Sequence, residues 1–134
     1  DSREMQLISL RRLAELYWEL VYGGLVHGDV RDHAMSETDR YLTQAMQIAP
    51  DDAGLWFLKG RMLLYRRDPA AEAALHRAVA NGLEESRVLA YLGQIAFERR
   101  DYREVRRIFS SPSESQFAPR LKQAVKYWAR GAAA

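Results

Sequence analysis

Apolar residues along this chain recur at intervals of three and four, and no segment of useful length alternates with period two. The first spacing gives a helix one apolar stripe. The second, which would build a half-buried strand, is missing, and Val, Ile and Thr are sparse. Breaks fall at Gly23-Gly24 with Gly28-Asp29, at Pro50-Asp51-Asp52, at Asp68-Pro69, at Asn81-Gly82, at Asp101 and from Ser110 to Ser115. The segments between them have the length of packed helices. The pattern predicts helices near residues 4–24, 33–48, 53–66, 70–80, 86–99, 102–109 and 116–130, and with them an all-α fold.

The chain also repeats itself. A shift of 33 residues lays Leu42 on Leu75, Ala45 on Ala78, Gly60 on Gly93, and Arg66-Arg67-Asp68 on Arg99-Arg100-Asp101. Two helices per unit at this period predict an α-solenoid, because each unit can bury its apolar face only against its neighbours. Gly60, Gly93, Ala45 and Ala78 would let helices approach closely, while Trp56 and Phe97 fill the gaps between them.

These units resemble the tetratricopeptide repeat. Leu92-Gly93, Phe97, Asp101-Tyr102 and Glu104-Val105 follow the frame of that family in one unit. Trp56, Gly60, Asp68, Leu75 and Ala78 follow it in the unit before, with one residue fewer near Pro69. Further upstream only the second helix fits, through Leu42, Ala45, Ile48 and Pro50, so the resemblance covers about residues 30–110.

What it implies is a single domain over residues 1–134. A first hairpin spans 4–50, a second 53–83 and a third, truncated one 86–110, with a capping helix over 116–130. The turn of the first hairpin is expected to be stretched, from Gly23 to Ser36, with Ser36-Glu37-Thr38-Asp39 capping the helix that follows. The last helix would set Phe117, Leu121, Ala124, Val125 and Trp128 against the open end of the stack. Gly131 to Ala134 reads as a frayed end or a domain boundary within a longer chain.

Charge and composition refine this. The net charge is +2, but residues 1–52 hold 5 Arg against 10 Asp/Glu (−5), and residues 53–134 hold 15 Lys/Arg against 8 acids (+7). Such polarity favours acidic partners at the second part, or head-to-tail association of copies. Arginine outnumbers lysine 17 to 3, a bias that fits a GC-rich bacterial genome. The absence of cysteine removes disulfides and thiolate chemistry but leaves the compartment open, cytoplasmic or periplasmic. No apolar run approaches the roughly 20 residues of a membrane helix, so no membrane insertion is expected.

Candidate chemistry is thin. His27, Asp29, Asp32 and His33 gather metal-ligating types, but Arg31 stands among them and the spacing is not that of a helical histidine pair. They read as a solvated loop in which Asp29 or Asp32 caps the next helix. The serines fall in loops and caps, outside any nucleophile turn, and the glycines lack a phosphate-loop pattern, so neither catalysis nor a cofactor is expected. The arginine runs are interleaved with Asp68, Glu72, Glu98, Asp101 and Glu104, which argues against nucleic acid.

In the family the first helix of each hairpin lines a concave groove. Carried over by position, Phe57, Arg61, Leu64 and Tyr65 face inward from one unit, and Arg87, Tyr91, Gln94 and Glu98 from the next. The resemblance therefore implies a non-catalytic scaffold or adaptor that docks a peptide or helix of a partner protein. Arg61 and Arg87 would meet acidic or carboxylate groups, and Phe57, Tyr65 and Tyr91 would anchor apolar ones. By analogy with where bacterial repeats of this kind occur, the setting is an envelope, secretion or polysaccharide-export assembly. The carboxylate clamp by which part of the family grips chaperone C-termini is not expected: of Phe57, Leu58, Arg61, Arg87 and Tyr91 at the corresponding places, only Arg87 fits. The alternatives are a chaperone for a secretion or cytochrome-maturation partner, and a self-associating structural module.

Overall fold

The computed structural model describes residues 1–109, in which six helices and no strand occur. They are α1 (Ser2–Tyr22), α2 (Gly28–Ile48), α3 (Ala53–Tyr65), α4 (Ala71–Ala80), α5 (Ser86–Glu98) and α6 (Tyr102–Phe109). The all-α expectation holds for these residues. The expected capping helix and the break after Phe109 lie outside them. The helices pack in consecutive hairpin-like pairs, α1 with α2, α3 with α4 and α5 with α6.

One boundary differs from the sequence reading, and the difference removes the stretched turn. The link between α1 and α2 spans only residues 23–27, and α2 begins at Gly28 instead of near residue 33. Asp29, Arg31, Asp32 and His33 form the exposed face of its first turns, while Ala34, Met35 and Thr38 turn inward and are buried. Ser36 to Asp39 therefore lie inside the helix and cap nothing. Thr38 Oγ1 donates to the Ala34 carbonyl at 2.8 Å, and Glu37 pairs with Arg40 at 2.6 Å. Neither Asp29 nor Asp32 is the cap: that position is His27, with no side-chain hydrogen bond, and Asp29 meets the helix dipole from the first turn.

Three apolar clusters hold the pairs together. Leu10, Ala14, Trp18, Leu42, Ala45, Leu58 and Met62 join α1, α2 and α3. Phe57, Leu75, Ala78, Val88 and Ile95 join α3, α4 and α5. Leu89, Ala90, Ala96, Val105 and Ile108 join α5 and α6. Thus α3 and α5 each contribute to two clusters. Gly60 brings α3 against α4: a Cβ there would stand 2.7 Å from Leu75 Cδ2.

The repeated Arg-Arg-Asp triplets make the same turn twice. Asp68 N–H donates to the Leu63 carbonyl and Arg67 N–H to that of Leu64; Asp101 N–H donates to Ala96 and Arg100 N–H to Phe97, all at 2.9–3.0 Å. This closure puts its first non-helical residue in the left-handed region, where glycine is usual. Here the residues are Arg67 (φ 56°) and Arg100 (φ 61°). The aspartates then differ: Asp101 stands just before α6 and accepts from Glu104 N–H at 3.3 Å, whereas Asp68 accepts from Ala70 N–H at 2.8 Å within the turn before α4. Arg67 pairs with Glu98 at 2.7 Å, whereas Arg100 is exposed and makes no ion pair among the described residues. Arg100→Gly is therefore expected to raise stability by about 0.5–1 kcal/mol, as strain relief outweighs the added freedom of the unfolded chain. Urea unfolding reads this directly, and a loss of stability would mean that the guanidinium holds a stabilising contact.

Asp52 ties the second pair to the first. It caps α3 by accepting from Leu55 N–H at 3.1 Å, and it forms a two-point ion pair with Arg11 of α1. Burial pushes its carboxyl up, but the hydrogen bond from Arg11, the Leu55 amide and the Arg11 charge together hold it below the usual range. A carboxyl depressed by folding stabilises above its unfolded value of about 3.9, and the gain disappears as pH falls through the folded value. Asp52→Asn keeps a capping oxygen and loses the charge. The expected result is a variant less stable than the parent at neutral pH, with the difference between the two shrinking as pH falls through the folded value of Asp52.

Candidate functional site

The C-terminal ends of α1 and α3 meet the middle of α5 around a cleft of about 140 Å³, lined by Trp18 and Tyr22 of α1, Arg61, Leu64 and Tyr65 of α3, and Ala90, Tyr91 and Gln94 of α5. Trp18 and Tyr22 stand one turn apart on α1, so both rings reach the same side. Trp18 is 3% exposed and packs into the first apolar cluster. It stacks on Tyr22 at 5.7 Å and meets Tyr65 edge-on at 5.7 Å. Tyr22 and Tyr65 are 63% and 43% exposed, so these rings stand open to solvent beside a buried indole.

A cationic cluster adjoins this aromatic wall. The Arg61 guanidinium lies over the Phe57 ring at 4.4 Å and that of Arg87 over the same ring at 5.0 Å, while Phe57 meets Tyr91 edge-on at 5.7 Å. Burial pulls the Arg61 guanidinium below its ordinary value, with the Tyr91 hydroxyl opposing and the Arg87 charge adding to the effect. Burial likewise pushes the Tyr91 phenol up, against the pull of Arg61. At neutral pH the arginine stays charged and the phenol protonated.

Several arginines among the described residues are tied down in ion pairs. Arg11, Arg40, Arg67, Arg77 and Arg99 each hold a carboxylate. Among the described residues neither Arg61 nor Arg87 has an ion pair, and Arg61 Nε is enclosed without an acceptor. A half-buried cation beside a second cation, with the Tyr91 hydroxyl and the more distant Glu15 charge opposing burial but no carboxylate in contact, is only partly compensated. A negative group held at the edge of the cleft would relieve it.

Of the eight residues expected at the groove, Arg61, Leu64, Tyr65, Tyr91 and Gln94 line the cleft. Phe57 does not: it is 6% exposed and belongs to the cluster shared by α3, α4 and α5, so its ring supports the arginines from behind. Arg87 reaches that ring from the exposed start of α5 without lining the cleft. Glu98 sits at the end of α5, where it accepts from Arg67 at 2.7 Å and from Gln94 at 3.3 Å. It acts as a strut between two turns. Trp18, Tyr22 and Ala90 were not anticipated. For the first two the available signal was an aromatic pair four residues apart near the end of a helix.

Elsewhere, among the described residues no group of three His, Asp or Glu side chains gathers closely enough to hold a metal ion. No helix among them is long and apolar enough to cross a membrane. No protein-family model, curated protein or solved structure matches this chain. The cleft is therefore read from its own chemistry.

Proposed function

We propose that this chain is a non-catalytic adaptor of tetratricopeptide-repeat type, in which α1, α3 and α5 line a surface that docks a segment of a partner protein. The observation that carries this reading is the Arg61–Arg87 cluster, two cations that hold no carboxylate in an ion pair among the described residues, set beside an aromatic cleft. Aromatic and arginine side chains at a partly desolvated site are the usual anchors of protein recognition. Among the described residues the lining of the cleft holds no imidazole, carboxylate or serine hydroxyl for acid–base or nucleophilic work, which favours binding over catalysis.

The stacked-hairpin reading has its own support. Clusters that join α1–α3, then α3–α5, then α5–α6 are what nearest-neighbour packing produces. The Arg-Arg-Asp turn recurs with the same hydrogen bonds. The apolar spacing over 116–130, outside the described residues, is the pattern expected of the capping helix that such a stack needs. In this reading the adaptor serves a bacterial multiprotein complex.

The test is affinity capture from a bacterial lysate with the purified chain beside its Arg61→Glu/Tyr91→Ala variant, both shown to be helical by circular dichroism. The expected result is a protein retained by the parent and lost from the variant. Equal retention by both would place the docking surface elsewhere.

A further inference from the structure

We infer that the cleft receives one aromatic side chain flanked by acidic residues, presented from within the chain of a partner protein. The inference rests on the docking function proposed above and adds the chemistry of the docked segment.

Size comes first. At about 140 Å³ the cleft is well below the ~300–1,000 Å³ of small-molecule and cofactor sites. It is close to the ~150 Å³ apolar cavity that accommodates a single benzene ring. One planar side chain fills it, with Trp18, Tyr22, Tyr65 and Tyr91 offering faces and edges.

Charge selects among ring-bearing ligands. Four aromatic rings around a small cleft would otherwise suit an alkylammonium group, but Arg61 lines the same cleft and repels a cation. The anchor is therefore neutral, and its neighbours are negative. Two guanidiniums lie over Phe57, Arg61 half-buried beside the cleft and Arg87 exposed at its margin. Cations at two depths ask for two negative groups. Acidic side chains before and after the anchor supply both, and a single chain-terminal carboxylate does not. An internal segment with an acid–aromatic–acid core follows.

The experiment is fluorescence anisotropy with the full 134-residue chain and a labelled, C-terminally amidated nonapeptide carrying Glu-Phe-Asp at the centre of a Gly/Ser background. Three comparison peptides carry Glu-Ala-Asp, carry Lys-Phe-Lys, or end in Phe with a free carboxylate. The Glu-Phe-Asp peptide is expected to bind about tenfold or more tightly than each of the others, with affinity falling as salt rises. Arg61→Met, which retains an apolar stem on Phe57, is expected to weaken it about tenfold. Arg87→Gln, at an exposed position where the fold is not at stake, is expected to weaken it several-fold. Tighter binding of the free-carboxylate or Lys-Phe-Lys peptide would overturn the inference while leaving a working docking cleft. Binding of Glu-Phe-Asp that is indifferent to both arginine variants would also overturn it. So would no binding of any peptide, in which case the capture experiment alone decides the docking function.

Discussion

Gly60→Val is expected to destabilise the protein by about 3 kcal/mol or more, enough to erase much of the roughly 5–15 kcal/mol that holds a domain folded. The reason is local and measurable. A Cβ at residue 60 would lie 2.7 Å from Leu75 Cδ2, 2.8 Å from its Cγ and 3.2 Å from its backbone nitrogen. Leu75 is fully buried, so neither its side chain nor its backbone can give way cheaply. Alanine is the milder test: a helix-propensity gain of about 1 kcal/mol meets an overpacking cost of about 1–3 kcal/mol, for a net loss. Gly54→Ala is the control. Its new methyl would meet Arg11 Nη1 at 3.0 Å and Asp52 Oδ1 at 3.3 Å, the ion pair that joins α1 to the start of α3, so a loss of up to about 1 kcal/mol is expected, well short of that at Gly60→Val. Urea denaturation of the three variants checks the order, and a Gly60→Val protein as stable as the parent would contradict the close α3–α4 approach.

The second large effect is expected at Phe57. Phe57→Ala removes a ring that is 6% exposed and should cost about 3–5 kcal/mol. Phe57→Leu separates the causes, because it restores most of the buried apolar volume without an aromatic face. Repacking alone costs less than about 1.5 kcal/mol. The lost edge-on contact with Tyr91 adds about 0.5–1.5 kcal/mol. The lost support under Arg61 and Arg87 adds about 0.5–1 kcal/mol for each exposed-type cation–π pair. A Leu variant that falls between the parent and the Ala variant is the expected outcome. If Leu matches the parent, the ring serves as packing and does not position the arginines. The same Leu variant should weaken partner docking, because Arg61 would then lose its platform.

Some of this was legible in the sequence and some was not, for physical reasons. The close approach at Gly60 was legible because a small residue recurring at the repeat period has few other uses. The Arg-Arg-Asp turn was legible as a turn. Its left-handed residues were not, since arginine gives no hint of positive φ. The start of α2 was misread because Gly28 and the charged run after it look like a loop. Those charges cover one face of a helix whose other face, Ala34, Met35 and Thr38, is buried.

At the site, repeat spacing reached the residues on α3 and α5 but not Trp18 and Tyr22, because α1 lies outside the recognisable units. Position in a repeat also cannot say which neighbour a ring leans on. Phe57 was expected in the groove and is spent in the core, with only its electrostatic effect reaching the cleft through two arginines.

The most direct test of docking at this surface is a photo-crosslink from inside the cleft. Benzoylphenylalanine placed at Gln94, which lines the cleft, is compared with the same group at Gln47, exposed on α2. Irradiation in a bacterial lysate is expected to give a discrete higher-mass adduct from position 94, absent from position 47 and abolished when Arg61→Glu is added. An adduct from position 47 alone, or one from position 94 that survives Arg61→Glu unchanged, would contradict docking through the α1–α3–α5 cleft.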